Sequence, residues 1–129
     1  MKFSRRLAGV AILVSLCASQ VRAQTVPTAA NASLFKKQLA AIQSSSYDDF
    51  VAEGTSTFKA AITKPAFDKI ATELRPRFDA GYTTEYLTDM KKGGTVVHLW
   101  KLAFKDGKDD MLVAMVLDAA GKVGGFLLQ

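Results

Sequence analysis

The 129-residue chain has one cysteine, one histidine, one tryptophan and three prolines, and each shortage removes a class of chemistry. The cysteine, Cys17, falls in an N-terminal stretch with the make-up of an export signal. Lys2, Arg5 and Arg6 form a basic start, and Leu7 to Ala18 form an apolar run too short to anchor the chain permanently in a bilayer. Val21-Arg22-Ala23 supplies a cleavage site, so residues 1–23 are expected to leave and Gln24 to become the first residue. Leu16, directly before Cys17, is too large for a lipoprotein acceptor site. From Gln24 onward there is no cysteine, which excludes disulfides and thiolate metal sites and leaves stability to the core. The expected location is the periplasm or the cell exterior, with no stable membrane insertion once the signal is gone.

An excess of positive charge is also missing after that cut. The segment carries four of the 17 basic residues and none of the 12 acidic ones, so the formal charge falls from +5 to +1. No basic stripe interleaved with aromatics remains, and nucleic-acid binding loses its electrostatic basis. Metal binding fails on inventory. One histidine stands against acidic pairs, Asp48-Asp49 and Asp109-Asp110, at a helix start and a turn, where they cap and solubilise. Asp106 to Asp110 lacks the ligand alternation and terminal glutamate of a calcium loop. Ser44 to Ser46 form a polar cluster without a nucleophile elbow, and neither Gly93-Gly94 nor Gly124-Gly125 precedes a helix as a phosphate loop does. The Asn31-Ala-Ser33 glycosylation triplet is assigned no role. No metal and no cofactor are expected.

What is present is a change of period. After a flexible lead-in over 24–30, Leu34, Phe35, Leu39 and Ile42 recur at helical spacing and predict a first helix over 31–44. Ser46-Tyr-Asp-Asp49 resembles a capping box, and Phe50, Val51, Gly54, Phe58 and Ile62 share one face of a second helix. Thr63 caps a third over 65–74, with Phe67, Ile70, Ala71 and Leu74 inward; Pro76 is expected to end it and Gly81 to close the helical half. From Tyr82 the pattern alternates, punctuated by Gly93-Gly94, Asp106-Gly107 and Ala120-Gly121, which predicts strands near 82–91, 95–105, 110–118 and 122–128. Connections this short force an antiparallel meander. The expected fold class is α+β: three N-terminal helices packed on a curved four-stranded antiparallel sheet, as one domain over 31–129.

This order, with Val97-His98-Leu99-Trp100-Lys101-Leu102-Ala103-Phe104 between Gly93-Gly94 and Asp106-Gly107 and with Gly121-Lys122-Val123-Gly124-Gly125-Phe126 after it, resembles the nuclear transport factor 2-like superfamily, the cystatin-like α+β cone. The likeness is to its exported bacterial domains and covers nearly the whole chain after the signal. It implies a pocket between helices and sheet, which members use for isomerisation, dehydration, small-molecule binding or dimerisation. Enzymatic members place an aspartate base, an Asp-His pair or tyrosine donors in the cone. No local motif of this chain maps onto those sets, so no catalytic residue is carried over.

The candidate ligand-binding residues are Tyr82, Tyr86, His98 and Trp100. Val96, His98, Trp100, Leu102 and Phe104 share one apolar strand face, where His98 would be the one group titrating near neutral pH and Trp100 a stacking surface. Tyr82, Thr84 and Tyr86 point to one side of the first strand and offer hydroxyls to a polar ligand group, while Glu85 and Asp89 are expected on the solvent side. On the other face Val97, Leu99 and Ala103, with the all-apolar run Met111 to Leu117, point to a homodimer through the sheet, with Lys101 and Lys105 near its edge. Three functions stay open: an exported, non-enzymatic domain binding a small apolar or amphipathic ligand or a partner; a small lyase- or isomerase-like enzyme using His98; and a structural homodimer.

Overall fold

The computed structural model describes residues 26–129. The export segment, Cys17 and the cut before Gln24 lie outside the described residues. Among the described residues four helices precede four strands: α1 Ala29–Gln43, α2 Tyr47–Val51, α3 Ser56–Ala61, α4 Lys64–Asp79, then β1 Tyr82–Lys92, β2 Thr95–Phe104, β3 Met111–Leu117 and β4 Val123–Leu128. The strands form one antiparallel sheet in the order β1-β2-β3-β4. The α+β class and the meander are as the sequence predicts, whereas the helical half departs from it in four places.

α1 starts at Ala29, inside the expected lead-in, because the Thr28 hydroxyl accepts from the Asn31 amide at 3.2 Å and caps the first turn. The second expected helix is two short ones. Residues 53–55 turn outward to the sheet, where the Val123 amide donates to the Glu53 carbonyl and the Thr55 amide to the Val123 carbonyl, both at 2.9 Å. Thr55 then caps α3 by accepting from the Phe58 amide at 3.1 Å. Gly54 is needed at this break, since a Cβ there would lie 2.5 Å from the Phe58 ring.

α4 runs past Pro76 to Asp79. Continuing the helix buries Phe78, which meets the rings of Tyr82 at 4.9 Å and Phe104 at 5.5 Å. Burying a side chain of this size contributes roughly 1.5–3 kcal/mol, comparable with the cost of about 3 kcal/mol for an interior proline. Arg77 adds an ion pair to Asp106 at 2.9 Å and lies 4.0 Å over the Phe104 ring. Gly81, at φ 99°, then turns the chain into β1. Ile70, expected inward on this helix, is 44% exposed, while Phe67 and Ala71 are buried.

The inner sheet face carries Trp100, Leu102, Phe104, Val113 and Met115, all buried. Phe35 of α1 stacks on Trp100 with centroids 4.0 Å apart and planes 7° from parallel. Phe126 of β4 lies 6.3 Å from Phe35 and 5.4 Å from Phe50, so the core beneath α1 and α2 is filled largely by aromatic rings. β1 contains one bulge: Tyr86 pairs with Trp100 and Thr88 with Leu99, leaving Leu87 without a partner residue.

Candidate functional site

That extra residue corrects one expectation. Strict alternation puts Asp89 on the opposite side of the strand from Tyr86; beyond the bulge Asp89 instead pairs with His98 and shares its face, while remaining exposed to solvent as expected. A polar cluster results where the first turn of α1 meets β1 and β2. His98, 4% exposed, has its Nδ1 at 2.9 Å from the Tyr86 hydroxyl and its Nε2 at 3.4 Å from Asn31 Nδ2.

Two proton arrangements fit these contacts: Nδ1–H donates to the Tyr86 oxygen while the Asn31 amide donates to Nε2, or the Tyr86 hydroxyl donates to Nδ1 while Nε2–H donates to the Asn31 Oδ1 of a turned amide. Burial holds the Tyr86 pKa up, and the charge of nearby Asp89 adds to that. Burial also pushes the His98 pKa below its ordinary value, against an opposing pull from the Asp89 charge.

Of the four residues singled out from the sequence, the structure joins Tyr86 and His98 directly. Trp100 is adjacent, its ring 5.0 Å from Tyr86, but it is 3% exposed and covered by Phe35. Tyr82 belongs to another cluster, with Phe78 and Phe104, where burial raises its pKa. Thr84 is exposed.

Two residues escaped sequence reasoning. Asn31 belongs to the cluster, and Gln38 lies two turns further along α1. Gln38 is 0% exposed, and neither its Nε2 nor its Oε1 has a hydrogen-bond partner. The available signal was a polar residue inside an apolar stripe, since Asn31, Phe35, Gln38 and Ile42 follow one another at intervals of three and four.

Two surface grooves flank the core. One, of about 420 Å³, runs between α1 and α2 past Lys37, Ser44, Asp49 and Glu53. The other, of about 380 Å³, lies between α4 and β4 and is lined by Ile70, Glu73, Leu74, Met111, Phe126 and Leu128 among others. Among the described residues no three histidine, cysteine or acidic side chains group as a metal set, and no helix is long and apolar enough to cross a membrane. No protein-family model matches the chain, and no curated protein matches it.

Proposed function

We propose that this chain is an exported, non-enzymatic domain that takes up a small amphipathic molecule between α1 and the inner sheet face, in a cone-like arrangement of the nuclear transport factor 2-like kind. Gln38 carries this reading. A buried amide without partners costs about 1–3 kcal/mol, and a ligand head group with a donor beside an acceptor removes that cost. Phe126 lines the groove between α4 and β4 and lies 6.3 Å from Phe35, one turn before Gln38 on α1, so a ligand reaching Gln38 from that side has to part these two rings.

Octanamide is a suitable probe. It can donate to Gln38 Oε1 and accept from Nε2, whereas octanoate at neutral pH only accepts. Octanamide is expected to raise the melting temperature and change Trp100 fluorescence, with octanoate about tenfold weaker, the equivalent of one hydrogen bond. Gln38→Leu should abolish the response while raising the stability of the ligand-free protein. An undiminished response in Gln38→Leu would sink the reading.

A second reading, pairing of two copies through the outer sheet face, rests on a separate observation. Across the strands the register aligns Met90, Val97, Val116 and Gly125 in one row and Thr88, Leu99, Ala114 and Leu127 in the next. Met90 is 49% and Leu127 56% exposed, so the rows form an apolar surface open at both edges. Native mass spectrometry is expected to show a dimer that Leu99→Lys converts to a monomer; a wild-type monomer would remove this reading and leave the first untouched.

A further inference from the structure

We propose that the free edge of β4, with the groove between β4 and α4 beside it, takes up an extended peptide segment of a partner protein as a fifth strand. The inference goes beyond ligand uptake at Gln38 and does not rest on it. Its basis is the bonding pattern of the last strand. The Leu112 amide donates to the Gln129 carbonyl at 2.7 Å and the Gln129 amide to the Leu112 carbonyl at 2.9 Å. Bonded pairs alternate along an antiparallel ladder, so Leu127 and Gly125 also bond to β3, while Phe126 and Leu128 turn their N–H and C=O groups to the other side. On that side, among the described residues, the one backbone partner of the strand is the 53–55 segment, at Val123.

The two edges of the sheet differ in how they meet solvent. β1 carries Glu85, Asp89, Lys91 and Lys92 and the bulge at Leu87, features that discourage another strand from pairing. β4 has neither charge nor proline from Val123 to Leu128, and its irregularity, at Gly124, lies next to the part that residues 53–55 already cover. Beside the open part, the groove presents Ile70, Leu74, Met111 and Phe126, and of its lining residues Glu73 alone is charged. Among the described residues Glu73 is in no ion pair. A strand added to this edge turns alternate side chains towards α4. The peptide that fits therefore has apolar residues at every second position, with a lysine or arginine among them to meet Glu73. A helix or a small apolar molecule in the groove would leave the outward backbone groups of Phe126 and Leu128 unused.

The probe is the peptide acetyl-Val-Thr-Lys-Thr-Val-amide, titrated into the purified protein and followed by NMR. With peptide at about ten times its Kd, hydrogen exchange of the Phe126 and Leu128 amides should slow about tenfold, since only the free edge exchanges. N-methylating alternate peptide residues should abolish binding at one set of positions and spare it at the other, because the N–H groups of a strand point alternately towards and away from the edge. Replacing the peptide lysine by glutamate should weaken binding about threefold, and Glu73→Lys should invert that preference. Ile70→Lys, at an exposed position of α4, should weaken binding about tenfold through lost apolar contact. Three results would overturn the proposal: no response at about 1 mM peptide; binding that leaves the Phe126 and Leu128 amides unchanged; or peptide-free protection of those amides that grows with protein concentration, the mark of a second copy on this edge.

Discussion

Two stretches of the β1–β2 pair, one at its Tyr82 end and one at its middle, bury a tyrosine differently. At the first, Tyr82 sits opposite Phe104, and the space is filled by the Phe78, Tyr82 and Phe104 rings with Arg77 laid over the last of them. At the second, Tyr86 sits opposite Trp100 and turns its hydroxyl to His98. The tyrosines are four residues apart on one strand and face the same side, so alternation alone does not distinguish them. Their neighbours do. Tyr82 acts through its ring, whereas Tyr86 also joins a polar contact chain through buried His98 to Asn31.

Breaking the apolar end should have the largest effect. Phe78→Ala removes a ring buried to 1% exposure and should lower unfolding free energy by about 3–5 kcal/mol in denaturant titration. Tyr86→Phe comes next, because it leaves the buried Nδ1 of His98 without its hydrogen-bond partner; a loss of about 1–3 kcal/mol is expected. Tyr82→Phe should stay within about 0.5 kcal/mol of wild type. Equal losses at the two tyrosines would erase the contrast between the two stretches.

The two stretches should also separate by pH. The His98 pKa is lowered on folding, so its contribution to stability is fully present above the unfolded value of about 6.5 and is lost as pH falls through that value towards the folded one. The melting temperature of the wild type is therefore expected to drop over this window. His98→Gln should flatten that part of the profile, while Phe78→Ala lowers the whole curve without changing its shape there. A histidine-dependent drop that survives in His98→Gln would mean that another group is responsible.

Much of this fold was legible from spacing. Alternation from Tyr82 and the turn glycines gave the meander, and the apolar stripe of α1 gave its buried face. The misreadings share a cause: a local rule was overruled by a distant partner. Pro76 reads as a stop until Phe78 is seen packed on Tyr82 and Phe104. Gly54 reads as part of one continuous helix until Val123 is seen bonded to the backbone on either side of it. For the site, His98 and Tyr86 stood out by residue type. Asn31 and Gln38 did not, because a polar residue on an apolar helix face acquires meaning only from what it meets across the core. The strand face of Asp89 was misassigned, though not its exposure, because no glycine or proline marks the bulge at Leu87.

That bulge has a consequence for inherited change in this chain. Loss of the Leu87 codon would leave Tyr86 opposite Trp100, Thr88 opposite Leu99 and Asp89 opposite His98, now as an unbroken ladder. The residue is therefore a removable insert with respect to which side chains face inward. What its deletion would alter is the local bend and twist that a bulge gives a strand, so shape and side-chain placement can be varied separately at this one position.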